Sequence, residues 1–309
     1  MAHASFVRPN ARAGNVENEE NSAEIARAVA LANEYPDIVK VLAVGNEAMV
    51  KWATSYYVQP GVILKWVNHL QDLKKEAKLP KDLWITSSDN FASWGGGGEE
   101  YHVEDLNKLI NAVDFLSVHT YPMHDTHYQP EFWLEQEGFE GKTDIEKIDA
   151  SMLIAKNYAI NQYENVKKYM ESLGINKPIH IGETGWASFS SGHYGTKGSK
   201  ACDEYKEALY YQYMRDWTNG ADMSCFYFEG FDEPWKGGEN SGNSEKHFGL
   251  LKVDGKAKYA LWEEVDKGTF EGLTRNGNPI TKTYNGDKEA MMKDVEVPPT
   301  EDEWRANQH

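Results

Sequence analysis

The feature that most constrains this chain is a strict alternation of short β-branched runs with segments apolar at helical spacing. Ile38-Val39-Lys40-Val41-Leu42-Ala43-Val44 is almost continuously apolar, as expected of a parallel strand buried on both faces. Ahead of it, Asn21-Ser22-Ala23-Glu24-Ile25 offers a polar cap before Ile25, Val29 and Ala32, which predicts a helix over about 22–35. The alternation repeats with helices near 60–77, 103–113, 149–173 and 203–217, strands near 83–87, 114–119, 179–182 and 224–228, and an amphipathic segment over 259–265. Alternating strands and helices imply a parallel sheet, either closed as a barrel or open and doubly wound. The chain therefore divides into an irregular arm over 1–21, an α/β domain over 22–267, and a polar tail over 268–309.

Composition narrows the partners. The 309 residues are 40% hydrophobic and 12% aromatic, enough for one large core or two modest ones. A net charge of -17 repels phosphate backbones and anionic head groups, so no nucleic acid and no membrane surface is expected as a partner. With only Cys202 and Cys225, neither a disulfide framework nor a four-cysteine zinc site is available, and a single bridge stays open. No apolar run reaches spanning length, and the opening Met1-Ala2-His3-Ala4-Ser5 lacks the apolar stretch of a leader.

In a parallel barrel the chemistry collects at the carboxyl ends of the strands, where the following loops converge. Those ends carry Gly45-Asn46-Glu47, Ser88-Asp89-Asn90, His119-Thr120-Tyr121-Pro122, Gly182-Glu183-Thr184-Gly185-Trp186, and Phe226-Tyr227-Phe228-Glu229 ahead of Phe231-Asp232-Glu233-Pro234-Trp235-Lys236. Carboxylates, amides and rings together describe a sugar site: acids for the glycosidic oxygen, amides for hydroxyls, rings for the apolar faces of pyranoses. The glycine run 95–98 lacks the Lys-Ser/Thr of a phosphate cradle and reads as a mobile loop. His119, His124, Asp125 and His127 have no paired-ligand register, so no metal and no cofactor is expected. They read as a loop lining a cleft.

Gly45-Asn46-Glu47, Glu183-Thr184-Gly185-Trp186, and Glu233-Pro234-Trp235-Lys236 followed by Ser244-Glu245-Lys246-His247-Phe248-Gly249-Leu250 together resemble glycoside hydrolase family 17. The resemblance covers about 22–265. It implies a TIM-barrel, (β/α)8, architecture and retaining cleavage of β-1,3-glucans such as laminarin, with or without transfer to a second sugar. By it Glu47 is the acid/base and Glu183 the nucleophile. Asn46, Asp89, Asn90, Tyr121, Trp186, Phe228, Glu233, Lys236 and Glu245 become the substrate-binding set. A polymeric substrate implies an extracytoplasmic location. The alternative is a non-catalytic glucan-binding protein derived from such an enzyme.

The residues support the pair independently. Retention needs two carboxyl groups about 5–5.5 Å apart, one neutral and one ionised, and repulsion between them divides their duties. Asn46 beside Glu47 suits the sugar 2-hydroxyl. For Glu233, Lys236 and Glu245 a structural ion-pair network is an equal reading, while Trp94, Trp133 and Trp235 are either sugar platforms or plugs. Trp52, Tyr56 and Tyr57 follow Glu47 too closely to be all core.

The pattern yields about five strand-helix units, matching strands four to eight of such a barrel, with 46 residues ahead of Glu47 where the family places three further units. A sheet so truncated has two open edges, and the arm and tail are too polar to pair as buried strands. A homo-oligomer, a dimer first, is the expected cover.

Overall fold

The computed structural model describes residues 3–5 and 19–307. It forms two compact units, one of residues 1–120 and 161–183, the other of 121–160 and 184–309.

The first unit is built on parallel strands β1 (His3–Ser5), β2 (Val41–Asn46), β3 (Trp84–Asn90), β4 (Leu116–His119) and β5 (Ile179–Thr184), adjacent in that order. Helices α1 (Glu19–Glu34), α2 (Pro60–Lys75) and α3 (Glu104–Ala112) connect them, and α4 (Asp144–Ser172) leads into β5. Strand, helix and parallel strand in strict succession is the repeat of a (β/α) barrel, and the fold is an incomplete barrel of that type. Its core takes Val39 from just ahead of β2, Leu42 and Val44 from β2, Ile63, Val67 and Leu70 from α2, and Ile85, Leu116 and Val118 from the next strands. At the opposite end from the site, Lys74 binds Asp114 at 2.7 Å, and the same carboxylate oxygen accepts the Ile85 amide at 2.8 Å.

Three expectations change here. His3–Ser5, placed in an arm read as unable to pair, runs parallel to β2 in the register His3↔Val41 to Ser5↔Ala43. One of the two edges expected to stand open is therefore covered by the chain itself. The glycine run is not a mobile loop: Gly95 is buried at φ +88°, and a Cβ there would collide with the Tyr169 ring, while Gly96 packs on Val166. Glycine is required because this turn lies directly against α4. Helix α4 begins at Asp144, five residues before its expected start, because Thr143 and Glu146 form a capping box: Glu146 Oε2 accepts the Thr143 amide at 2.8 Å and Thr143 Oγ1 accepts the Glu146 amide at 3.4 Å.

The second unit holds α5 (Glu204–Gly220), capped by Asp203 through the Lys206 amide, and the short strand β6 (Cys225–Tyr227). The segment after Gly268 carries an antiparallel pair, Thr274–Arg275 with Asn278–Pro279, and helices Lys288–Met292 and Glu301–Asn307 that bury Met291 and Trp304. Trp133 and Trp186 are fully buried, with indole N–H bonds to the Ser199 and Ala201 carbonyls, and in the first unit Trp94 is likewise buried on the Ser117 carbonyl. All three are plugs. Cys202 and Cys225 are free thiols. No helix among the described residues is long and apolar enough to cross a membrane.

A buried charge cluster braces the second unit. Lys258 Nζ lies 2.8 Å from Asp232 Oδ1, 3.4 Å from Glu207 Oε1 and 2.9 Å from the His247 carbonyl. Burial pushes Glu207 well above the usual carboxylate range against the pull of Lys258, whose own pKa is raised by its acidic neighbours in spite of burial. Lys258→Met leaves two buried acids without a cation, and we expect a loss of about 3–5 kcal/mol in urea unfolding. The sign with pH follows from Glu207: once Lys258 is gone the carboxyl escapes its charge by taking a proton, so the loss is smaller at pH 5 than at pH 8. Equal losses at both would refute an ionic role.

Candidate active site

The chain approaches the first glutamate through a deliberate kink. Register slips between Ala43 and Asn46 as β2 leaves β3, Gly45 adopts φ +87°, and Glu47 itself sits at φ +49°. A glycine serves the first turn without cost, whereas a left-handed glutamate is strained and persists only if its surroundings hold it. They do. The Glu47 amide donates to the Ser88 carbonyl at 2.9 Å, and the following Ala48, Met49 and Val50 are all buried.

Asp89 anchors the same turn. It is fully buried, its Oδ2 accepting the Met49 amide at 2.8 Å and its Oδ1 the Asn90 amide at 2.8 Å. That corrects its expected place among substrate-binding residues: with no exposed surface it fastens the Glu47 loop to β3. Asn90, half-buried, accepts the Ala92 amide at 2.9 Å, and Asn46 is exposed beside Glu47. Burial raises the Asp89 carboxyl to about 6, with the Met49 amide and the His119 charge opposing it. A folded pKa above the unfolded one means that folding takes up a proton between about pH 4 and 6, so this contribution is present at low pH and lost as pH rises through 6. Asp89→Asn turns one acceptor into a donor facing an amide N–H. We expect turnover to drop about tenfold through a misplaced Glu47, and the stability gap to the parent to narrow from pH 4 to pH 7 in denaturant titrations.

Glu183 lies near the end of β5 in register with His119, where β4 and β5 also slip by a residue. His119 is fully buried. Its Nδ1 is 2.9 Å from Glu47 Oε1 and 3.8 Å from Glu183 Oε2, and its Nε2 is 2.7 Å from Ser88 Oγ. One oxygen of each glutamate and a nitrogen of His119 all fall within 4.8 Å of one another. Such a trio could ligate a cation, but in this arrangement both ring nitrogens are engaged by Glu47 and Ser88. His119 ends its strand as the pattern predicts, but it is buried beside the two glutamates and does not line a cleft. Its signal was visible as a polar residue ending a buried strand, Leu116-Ser117-Val118-His119.

The other expected residues lie in the second unit, and most of them assemble there. Lys236 pairs with Glu233 at 2.5 Å and lies 4.1 Å from the centre of the Phe228 ring. Phe228 meets Phe248 at 5.6 Å, Phe248 meets Tyr121 at 6.0 Å, and Tyr121 meets His124, whose Nε2 is 4.0 Å from Glu245. His124 and His127 lie on a short helix, Pro122–Tyr128, not on a loop. Next to this group, burial lifts the Glu229 carboxyl to about 8, with Lys236 pulling it down and Glu233 adding to the rise. Trp186 is the exception. With no exposed surface and its N–H satisfied, it has no face to offer a sugar and packs on Trp133 and Tyr210 instead. Large rings stand exposed elsewhere: Trp52 and Tyr56 just after Glu47, and Trp235 in the second unit.

A parallel barrel sheet that ends in two facing glutamates defines a glycoside hydrolase of the barrel class. The chain belongs to the BtgE/BtgC glycoside hydrolase domain family, whose model matches residues 10–249. The resemblance to family 17 read from the motifs is thereby borne out. Among solved structures it is similar to an endo-laminarinase from Formosa Hel1_33_131, at 68% identity and TM-score 0.93 over 95% of this chain and 76% of that one. A Rhizomucor miehei β-1,3-glucanosyltransferase mutant in complex with laminaritriose shares the fold, at 18% identity and TM-score 0.50 over 79% of this chain and 72% of that one. A glucan endo-1,3-β-glucosidase of Arabidopsis thaliana is 25% identical over 72% of this chain and 48% of its own length. A glucan 1,3-β-glucosidase of Arthroderma benhamiae is 38% identical over 30% of this chain and 31% of its own. The chain thus spans half or less of these two relatives.

Proposed function

We propose that the protein hydrolyses β-1,3-glucosidic bonds of glucans such as laminarin by double displacement, with Glu183 as nucleophile and Glu47 as acid/base. The observation that carries this is the approach of the two carboxylates, with an oxygen of each within 4.8 Å. Inverting enzymes hold their carboxyls about 6.5–9.5 Å apart to admit a water, and retaining enzymes about 5–5.5 Å apart, so this spacing supports retention. The names of the relatives support the β-1,3-glucan class.

In the first half-reaction Glu183 attacks the anomeric carbon as Glu47 protonates the departing oxygen. In the second Glu47 takes a proton from water, which releases the sugar from Glu183 with its β-configuration restored. An acceptor sugar that competes with that water receives the glycosyl group instead. The cluster of Tyr121, Phe228, Glu233, Lys236 and Glu245 supplies rings and charges of the kind that bind pyranoses. A polymer of this size does not cross a bilayer unaided, which favours action outside the cytoplasm. Association of two chains remains part of the proposal, although the pairing of His3–Ser5 with β2 removes one of its motives.

Reducing-sugar release from laminarin, with cellulose and xylan as controls, tests the substrate, and proton NMR of the first-formed product tests the stereochemistry. We expect release from laminarin alone and a β-anomer first. Binding to laminarin without any release would establish the non-catalytic alternative.

A further inference from the structure

We propose that His119 is the positioning residue that sets Glu47 for the reaction, its ring locked from behind by Ser88 and its Nδ1–H presented to the Glu47 carboxyl. The inference rests on the catalytic assignment above and adds a residue to it.

The ring is held at both nitrogens. Nε2 bonds Ser88 Oγ at 2.7 Å, and that hydroxyl lies 2.9 Å from Ser117 Oγ, so a pair of hydroxyls on β3 and β4 stands behind the imidazole. Space for the pair is kept by Gly182 on β5, where a Cβ would run into Ser117 Oγ. A buried ring tied at both ends does not turn, and the direction of Nδ1 is thereby fixed by the strand backbone. Glu47 sits on a strained turn at the end of β2, its amide held by the Ser88 carbonyl. The 2.9 Å bond from His119 fixes the rotation of its carboxyl, and with it the aim of the second oxygen.

That aim matters because proton transfer to a glycosidic oxygen requires hydrogen-bond alignment, and errors of about 1 Å cost on the order of a hundredfold. His119 also answers the repulsion between the carboxylates. Burial works against a charge on the ring, but the bond to Glu47 and the charges of Glu183, Glu47 and Asp89 outweigh it and raise its pKa. Whether acid or carboxylate, Glu47 has an oxygen that can accept from Nδ1–H at 2.9 Å. When Glu183 becomes an ester and loses its charge, Glu47 and Asp89 still face the ring, and Glu47 still has a donor as it turns from acid to base.

The test uses the full chain with His119→Leu, His119→Asn and Ser88→Ala, with Glu47→Gln and Glu183→Gln as references. Two substrates are compared: laminaripentaose, whose leaving group needs a proton, and a dinitrophenyl β-laminaribioside, whose leaving group does not. For His119→Leu we expect kcat on laminaripentaose to fall about a hundredfold with KM within about twofold, and kcat/KM on the aryl substrate to fall less than about fivefold. His119→Asn, whose side-chain N–H takes the place of Nδ1–H, should recover about tenfold of that loss. Parental turnover in His119→Leu, or equal losses on both substrates with no gain from asparagine, overturns the proposal. Should His119→Leu fail to fold, Ser88→Ala decides: a loss confined to laminaripentaose supports the proposal, and an equal loss on both overturns it. Full activity in Glu47→Gln or Glu183→Gln would instead bring down the catalytic assignment itself.

Discussion

Glu183→Gln should lower laminarin turnover by at least about 10⁴-fold while leaving the fold and the affinity for glucan intact. Glutamine has the shape of glutamate and keeps a carbonyl oxygen that its neighbours can bind, but it has no charge with which to attack the anomeric carbon. No other carboxylate among the described residues joins His119 and Glu47 in a cluster of this tightness, so none stands ready to take over. Two measurements check the claim. Reducing-sugar release gives the loss of turnover. A 2-deoxy-2-fluoro laminaribiosyl fluoride, which forms the ester quickly and loses it slowly, should add one glycosyl mass to the parent's peptide containing Glu183 and none to that of the variant. Turnover above about one per cent of the parent would remove Glu183 from the nucleophile role.

The parts of this molecule legible in its sequence are those written in local periodicity. The strand at Val41–Asn46 was visible because parallel strands buried on both faces are apolar without interruption, and α2 and α3 because their apolar residues recur at helical spacing. Glu47 and Glu183 were visible because strand-end residues in a parallel barrel converge, and because each came with a recognisable motif. What failed was anything decided by depth. Asp89 and Trp186 carry the right chemistry for a sugar site, yet both are fully buried, and one sequence cannot tell a ring that stacks on a sugar from a ring that plugs a core. The Lys258 cluster was not legible either, since Glu207 and Lys258 lie 51 positions apart and no motif includes them. The glycine run misled for a related reason: glycine marks close approach as readily as mobility, and only the Tyr169 ring against Gly95 decides which. His119 was seen and given the wrong neighbours.

Glu47→Gln should produce a different defect, one that depends on the substrate. On laminarin the leaving sugar must be protonated as it departs, and loss of the acid costs about 10²–10⁴-fold. With a dinitrophenyl leaving group no proton is needed, so formation of the ester on Glu183 continues at near the parental rate. Release then lacks its general base. The ester accumulates, and kcat and KM for the aryl substrate fall together, leaving kcat/KM almost unchanged. Azide, a nucleophile that needs no base, should attack the accumulated ester, restore turnover and yield a β-glycosyl azide of retained configuration. The geometry allows this substitution to be read cleanly, because glutamine keeps an oxygen for the His119 bond and tolerates the left-handed backbone at φ +49° no worse than glutamate does. The alkaline limb of the pH profile for kcat/KM on laminarin, where the acid loses its proton, should also disappear with Glu47. If azide instead rescued Glu183→Gln and gave the β-azide, while Glu47→Gln showed no ester accumulation, the two roles would be exchanged.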